Sequence, residues 1–242
     1  MFHSHRFVML ELQTDCMLHV LGDHMIPLQH PTLGLFKEQD LHLATYPNTS
    51  FTVIINPNSG PGGSTTLSDS NWVSALETLH TYPNAHLIGY VDTQFAGSTT
   101  DLTNAFADIN TYANWPSSMS LNGIFFDDAP NTYSASSYSF MQNLTTTARS
   151  FSNLQTIFFN PGTFTDSEYF ALADNIVVWE NFYSDWDEST ILANVPSTER
   201  SQSSIIVHDF LPESVSALST LVEEIVGKGF AGVFCDDENE FE

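Results

Sequence analysis

Positively charged residues are scarce in this chain, which has 5 Lys and Arg against 29 Asp and Glu and a formal net charge of -24. A surface of that sign repels phosphate backbones and anionic membranes, so the composition argues against nucleic-acid binding. It would attract a cationic polymer, and it also keeps a protein soluble. Long hydrophobic runs are lacking as well, so no segment is predicted to span a bilayer.

Cysteine is rarer still, with two residues. Cys16 and Cys235 are too few for a disulfide framework or a zinc cluster, and the sequence leaves open whether they form one bridge. The nine histidines show no metal-ligand spacing. We therefore predict no metal and no cofactor.

Two catalytic and binding motifs are missing. No G-x-S-x-G elbow is present, which argues against a serine hydrolase. The glycines at 60–63 do not form the G-x-G-x-x-G loop expected of a dinucleotide-binding, doubly wound sheet. Near the N-terminus Glu11 and Asp15 interrupt the apolar stretch, so residues 1–25 do not read as a signal peptide.

What the chain does have is a regular alternation of strand and helix patterns from residue 51 onward. Short apolar runs ending in a polar residue predict strands at 51–56, 86–92, 121–127, 154–160, 175–180, 203–208 and 230–236. Amphipathic stripes predict helices at 69–82, 100–114, 135–151 and 212–226. With an eighth strand near 24–30, this pattern predicts a (β/α)8 TIM-type barrel of one domain, and an open doubly wound sheet is the competing α/β architecture.

The predicted strands end in polar side chains, which a barrel would gather on one rim. The run Ile124-Phe125-Phe126 leads into Asp127 and Asp128, and strand 175–180 ends in Glu180. Two facing carboxylates are what glycoside hydrolysis requires, one to protonate the departing oxygen and one to act as nucleophile or to activate water. We therefore take Asp127, Asp128 and Glu180 as candidate catalytic residues.

Other residues near these strand ends are candidates for binding the substrate. Amides, a histidine and a further acid supply hydrogen bonds, and aromatic rings can stack on the flat faces of sugars. The candidates are Asn56, Tyr90, Asp92, Asn160, Trp179, Tyr183 and His208. Metal-dependent hydrolysis by Asp127, Asp128 and His208 is an alternative without a diagnostic spacing.

Several segments together resemble the spherulin-4-like family, glycoside hydrolase family 135. The similar segments are I-I-N-P-N-S-G-P-G-G (54–63), L-I-G-Y-V-D-T (87–93), D-I-N-T-Y-A-N-W (108–115), G-I-F-F-D-D-A-P (123–130), F-N-P-G-T (159–163) and V-V-W-E-N-F-Y (177–183). The resemblance implies a (β/α)8 barrel that cleaves α-1,4-linked N-acetylgalactosamine within galactosaminogalactan, an adhesive exopolysaccharide. It also implies a secreted or cell-surface, fungal-type protein, which we expect to be a monomer.

The resemblance implies that the catalytic acids are a pair after the fourth strand and a glutamate after the sixth, positions that match Asp127, Asp128 and Glu180. The chain departs from the family in two ways. The family pair is usually Asp-Glu, whereas Asp128 here is shorter by one methylene. The family's first strand has its counterpart at 27–31 without the tyrosines, so we divide the chain into a divergent segment, 1–24, and a barrel domain, 25–242.

Two alternatives follow from those departures. One is a carbohydrate-binding, cell-surface protein that keeps the barrel and has lost turnover. The other is an intracellular protein, since no export signal is visible.

Overall fold

The computed structural model describes residues 7–13, 43–45, 47–62, 69–210 and 215–235, with only the backbone described for 7–13 and 215–219. Eight strands run parallel, and each pairs with the next along the chain. The first strand also pairs with the last through Phe7 and Val8, which closes the ring. The strands are β1 (Phe7–Gln13), β2 (Ser50–Asn56), β3 (Ala85–Asp92), β4 (Gly123–Asp127), β5 (Thr156–Phe159), β6 (Asn175–Phe182), β7 (Ser203–His208) and β8 (Gly232–Cys235).

Helices alternate with these strands, as an α/β architecture requires. The α-helices are α1 (Ser70–Leu79), α2 (Thr99–Ala113), α3 (Ala135–Ser150), α4 (Glu188–Asn194) and α5 (Val215–Gly227). A 3₁₀ turn, Ser167–Ala171, stands between β5 and β6 where the pattern would place a helix. None of the helices in the described part of the chain is long and apolar enough to cross a membrane.

Side-chain oxygens begin three of the helices. Asp69 accepts a hydrogen bond from a main-chain N–H of the first turn of α1, Ser98 does the same for α2, and Ser134 forms a capping box with Ser137 at the start of α3. Each cap satisfies a donor that the helix itself leaves without a partner. These caps explain why the predicted and observed starts of these helices agree within one residue.

The core has two layers, because side chains along a strand alternate between the faces of the sheet. The larger layer lies between the sheet and the helices, where the rings of Tyr112 and Phe126 are fully buried. The smaller layer fills the inside of the ring and is made of Ile54, Ile88, Phe125, Phe158, Val177 and Ile206. The ring is therefore packed with side chains, and any ligand site must lie above this inner layer.

Tyr112 fixes α2 against the sheet. Its hydroxyl donates a 2.9 Å hydrogen bond to the main-chain carbonyl of Ile55 in β2. Its ring covers Gly89 in β3, where an added Cβ would lie only 2.7 Å from the ring. One buried side chain thus sets the distance of a helix from two neighbouring strands.

The structure confirms the α/β class and the seven predicted strands from residue 50 onward, all within two residues at each end. It differs at the start of the chain. The expected first strand, 24–30, lies outside the described residues, and the first place in the sheet is taken by Phe7–Gln13. That strand falls inside the segment 1–24, which we set apart from the barrel domain 25–242 on the sequence pattern. Glu11, which breaks the apolar run of a signal peptide, is no obstacle to a strand because strand residues alternate between two faces.

Candidate active site

Polar side chains form a second inward-facing layer, above the apolar inner layer, at the carboxyl ends of the strands. Each lies two or three residues beyond an apolar member of the inner layer, where alternation returns the side chain to the inside of the ring. This polar layer contains Asn56, Tyr90, Asp127, Asn160, Glu180 and His208. It occupies the end of a parallel sheet where α/β enzymes keep their active sites.

Asp127 is held by donors from both neighbouring strands. The hydroxyl of Tyr90 on β3 donates to its Oδ2 at 2.7 Å, and the amide of Asn160 after β5 donates to its Oδ1 at 2.9 Å. Both donors fix the orientation of the carboxyl group. Of the two adjacent acids, Asp127 is therefore the one that faces into the ring.

Asn160 joins Asp127 to Glu180. Its Nδ2 also donates to Glu180 Oε2 at 2.7 Å, while its Oδ1 accepts the N–H of Gly162 at 3.0 Å. The contact with Gly162 fixes which end of the amide faces the acids. Because the two N–H bonds of one amide diverge by roughly 120°, the two carboxylate oxygens that they reach lie about 5 Å apart.

Glu180 faces inward because β6 contains a β-bulge. The register against β7 shifts between Val177 and Trp179, which leaves Val178 as an extra residue. Val177 belongs to the inner layer, whereas both Val178 and Trp179 pack in the outer one. The extra residue changes the alternation, so Glu180 faces inward where an unbroken strand would turn it towards the helices.

The other side of Glu180 contacts His208 from β7. The distance between His208 Nε2 and Glu180 Oε1 is 3.0 Å, and both side chains are mostly buried. Gly162 covers the carboxylate from the loop after β5, and its carbonyl accepts the N–H of Glu180 at 3.0 Å. A continuous chain of hydrogen bonds thus runs from Tyr90 to His208 across five neighbouring strands, β3 to β7.

The main chain of the acid pair is held by Thr93, which follows β3 and is fully buried. Its hydroxyl lies 2.9 Å from the carbonyl oxygen of Asp127 and 2.8 Å from that of Asp128, and its N–H donates to Asp127 at 3.0 Å. Asp128 has a φ of 48°, in the left-handed region that few residues other than glycine adopt. β4 has therefore ended at Asp128, and the two acids point in different directions.

A second group of acids lies beside the hydrogen-bonded pair and contains Asp92, Asp108 and Asp128. Burial, and then the charges of Asp92 and Glu180, raise the pKa of Asp128. Burial and the charge of Asp92 raise the pKa of Asp108, on α2, from 3.8 to about 6. These acids hold protons more readily than exposed carboxyl groups do.

Not every predicted substrate-binding residue lies in the polar layer. Asp92 accepts two hydrogen bonds from Gln94, one from its main chain and one from its side chain. Trp179 is 9% exposed and packs edge-on against Trp186 in the outer core. Tyr183 is exposed and follows β6, with its ring edge-on to Phe210.

Asn56, at the end of β2, is buried and accepts the N–H of Gly60. No three His, Cys, Asp or Glu side chains in the described ranges are placed to hold a metal ion, and this includes Asp127, Asp128 and His208. Cys235 is buried, and Cys16 lies outside the described residues, so their pairing stays open.

The sequence interpretation missed two residues of the site. Thr93 stands in the segment L-I-G-Y-V-D-T, but nothing in a sequence indicates that its hydroxyl lies between two main-chain carbonyls. Asp108 lies on the inner side of α2, and its partner Gly60 follows a distant strand: an added Cβ at Gly60 would be 3.2 Å from its carboxylate. Both contacts depend on the closing of the sheet.

The fold and the polar layer together define a class of protein, namely parallel α/β proteins with facing carboxylates at the carboxyl end of the sheet, an arrangement typical of glycoside hydrolases. Within that class, residues 38–241 match the Spherulation-specific family 4. The chain belongs to this family, which confirms the resemblance drawn from the sequence.

Individual relatives agree with that assignment. The chain is 32% identical to Spherulin-4 of Physarum polycephalum over 188 residues, which are 74% of this chain and 54% of Spherulin-4. The chain thus spans about half the length of this curated relative.

Two solved structures are similar as well. Aspergillus clavatus Sph3, crystallised in complex with GalNAc, superimposes with a TM-score of 0.80 and 28% identity over 99% of this chain and 92% of Sph3. A β-glucuronidase of Ruminococcus gnavus matches with a TM-score of 0.53 and 11% identity over 95% of this chain and 42% of the glucuronidase, which shows a shared fold alone.

Proposed function

We propose that this protein is an endo-acting glycoside hydrolase that cleaves an amino-sugar exopolysaccharide, with a specificity like that of an endo-α-1,4-N-acetylgalactosaminidase acting on galactosaminogalactan. The observation that carries the proposal is the bridge made by Asn160, which places Asp127 and Glu180 as a facing pair of carboxylates. Membership of the family and the similarity to Sph3, whose structure contains GalNAc, support the choice of an amino sugar.

The separation of the two acids favours a retaining mechanism. Retaining glycosidases have their carboxyl groups about 5 to 5.5 Å apart, whereas inverting enzymes need a wider gap for a water molecule. The oxygens bridged by Asn160 are about 5 Å apart, in the retaining range.

We assign Asp127 as the nucleophile and Glu180 as the acid and base. Asp127, charged and held from two sides, attacks the anomeric carbon while the glycosidic C–O bond breaks. Glu180 gives its proton to the departing oxygen. In the second step Glu180 takes a proton from water, which attacks the same carbon and releases Asp127.

The neighbours of the pair have supporting roles. His208 orients the carboxyl group of Glu180, and Tyr90 and Asn160 hold Asp127. Asp128, the neighbour of Asp127 along the chain, supports the pair by binding a polar group of the substrate through its carboxyl group.

The first test measures new reducing ends and the masses of the products after incubation with an N-acetylgalactosamine-rich fungal exopolysaccharide. We expect oligosaccharides from the unaltered protein and a loss of roughly 10³-fold or more in rate for Asp127→Asn and for Glu180→Gln. Two fully active variants would show that the site is assigned wrongly.

Azide separates the two roles. Added azide is expected to restore turnover to Asp127→Ala with a glycosyl azide of inverted configuration, and to Glu180→Ala with one of retained configuration. If the two configurations were the other way round, Glu180 would be the nucleophile and Asp127 the acid and base.

A carbohydrate-binding protein without turnover is the alternative, because the shorter Asp128 stands where the family usually has Glu. A carboxyl group displaced by about 1 Å can cost roughly 10²-fold in rate. Binding without products, unchanged in Asp128→Glu, would favour this alternative, and cleavage by the unaltered protein would end it.

The wider setting is also part of the proposal. The ring is taken as a complete (β/α)8 barrel, formed by residues 25–242 together with Phe7–Gln13, in a monomer that is secreted or held at the cell surface. The net charge of -24 suits a partly deacetylated, cationic polymer, whose binding should weaken as salt is added. Asn48 and Asn143 each begin an N-x-S/T sequon, so glycans on them in native material would verify export, and light scattering would verify the monomer.

A further inference from the structure

Large hydrophobic side chains that remain exposed are gathered at one end of the sheet. In the described part of the chain they are Phe95 at 62%, Tyr133 at 44% and Tyr183 at 42% exposed. They follow β3, β4 and β6, so all three lie at the carboxyl end, beside the polar layer. Their position at the end of the sheet that carries the polar layer makes these rings candidates for contact with a ligand.

Phe95 is the most exposed of the three, although the turn that carries it is firmly held. Gln94, Phe95 and Ala96 all have positive φ values, of 47°, 54° and 58°. Three consecutive left-handed residues without a glycine are unfavourable and persist only where the surroundings impose them. Here the side chain of Asp92 accepts the N–H of Gln94, Ala96 donates to the carbonyl of Thr93, and Ala96 packs on the core.

The same turn is tied to the acids. The N–H of Phe95 donates a 2.7 Å hydrogen bond to the carbonyl of Asp128. Phe95 is therefore fixed relative to Asp127 and Asp128, and its exposure does not come from a loose loop. On the opposite flank of the acids, Tyr183 follows Glu180 by three residues and leans on Phe210 with ring centroids 4.5 Å apart.

We propose that the ring of Phe95 forms a saccharide-binding subsite beside the cleaved bond, where it stacks on the apolar face of a pyranose further along the polymer. The proposal rests on the proposed function and deepens it, because an enzyme that cuts within a chain must hold sugars on both sides of the cut. The ligand is a pyranose of the substrate chain. The contribution is stacking and burial, because Phe has no polar atom with which to select a particular hydroxyl.

The experiment compares ligands of increasing length in a background that cannot cleave them. Binding of N-acetylgalactosamine and of its α-1,4-linked oligosaccharides up to the hexasaccharide is measured by calorimetry and ligand-observed NMR on Glu180→Gln. Phe95→Ala, Phe95→Leu and Phe95→Tyr are added to that background. Leu keeps an apolar side chain without a flat face, and Tyr keeps the ring.

We expect Phe95→Ala and Phe95→Leu to raise the dissociation constant of the hexasaccharide roughly tenfold, and Phe95→Tyr to leave it within about twofold. Binding of the monosaccharide should be unchanged in all three. In the active protein, Phe95→Ala and Phe95→Leu should raise KM for long substrates and change kcat little.

Three results would overturn the subsite. The first is an unchanged dissociation constant of the hexasaccharide in Phe95→Ala. The second is a dissociation constant in Phe95→Leu as low as that in Phe95→Tyr. The third is an equal loss of affinity for sugars of every length, including the monosaccharide. If the unaltered protein binds and cleaves the hexasaccharide but Phe95→Ala does so equally well, only the subsite fails. If the unaltered protein binds none of these sugars, the proposed function fails and the subsite fails with it.

Discussion

Polar side chains at the two ends of the sheet are satisfied in different ways. At the amino end three of them bond to the main chain: Asn84 donates to two carbonyls, Asn122 accepts an N–H at 2.9 Å, and Asp174 accepts the N–H of Ile157 at 2.8 Å. These contacts fix where strands begin, and they use the hydrogen-bonding groups of those side chains within the protein.

At the carboxyl end the polar side chains bond mainly to one another. Asp127, Asn160, Glu180 and His208 form one network, and Asp92, Asp108 and Asp128 stand near each other as like charges. Such an arrangement adds little to stability and some of it reduces stability. The amino-end contacts thus contribute to folding, whereas the carboxyl end has the arrangement typical of ligand sites in parallel sheets.

The largest effect is expected from Asn160→Asp. This substitution replaces the amide that donates to Asp127 and Glu180 with a third carboxylate. We expect kcat/KM to fall roughly 10³-fold, or about 4 kcal/mol of transition-state stabilisation. Asn160→Ala, the control, removes the donors without adding a charge and should lose less at pH 7. Part of the activity of the Asp variant should return at low pH, where its carboxyl group is protonated and can donate. Equal losses at every pH would show that the bridge only fills space.

A substitution at the amino end should act on stability instead. In Gly123→Ala the new Cβ would lie 2.0 Å from the carbonyl oxygen of Thr156 in the neighbouring strand, so the pairing of β4 with β5 must shift. We expect a loss of about 3 kcal/mol in the free energy of unfolding. Urea titration measures it, with Gly227→Ala, where an added Cβ meets nothing within 4 Å, as the control. An unchanged urea midpoint would contradict this expectation.

Asp174→Ala gives a smaller test of the same end. The side chain accepts hydrogen bonds from the N–H of Ile157 and from Arg149, and it is half exposed. We expect a loss of about 1 kcal/mol in stability, with kcat/KM unchanged. Asp174→Asn keeps an acceptor for Ile157 and should recover most of the loss. A fall in kcat/KM of the folded variant would break the division between the two ends.

The smallest effect, of opposite sign, is expected from Asp108→Asn. The pKa of Asp108 is raised to about 6 in the folded protein, so the native state binds this proton more tightly than the unfolded chain does. The charged form therefore costs stability fully above pH 6, and the cost disappears as the pH falls towards 4. Asp108→Asn should stabilise the protein at pH 7.5 by less than about 1 kcal/mol, since solvent screens a half-buried group.

Urea midpoints at pH 4 and pH 7.5 measure this difference. Glu77→Gln, on the exposed side of α1, controls for the general benefit of removing one negative charge. A gain in Asp108→Asn that is equal at both pH values would contradict the assignment of the shift to Asp108.

Much of the fold could be predicted because local patterns decide it. The apolar run Ile124-Phe125-Phe126 with Pro130 behind it marks a strand, and Ser134 marks the start of a helix. The first strand of the sheet, Phe7–Gln13, was not predicted, because the segment 24–30 was taken as the remaining strand and because Phe7–Gln13 is recognisable only through its pairing with β2 and β8.

The candidate site could be predicted in composition but not in geometry. Asp127, Asn160 and Glu180 all end predicted strands, yet the single amide that joins the acids depends on distances across three strands. The inward direction of Glu180 depends on the bulge at Val178, which no local pattern in V-V-W-E predicts.

That bulge has an evolutionary consequence. Deleting Val178 would restore an unbroken alternation in β6 and would still leave Trp179 facing outward and Glu180 facing inward. Homologues can therefore differ by a gap of one position just before the acid and still keep the acid in the same place. In comparisons of this family, the acid of the sixth strand is best located by counting back from the end of the strand.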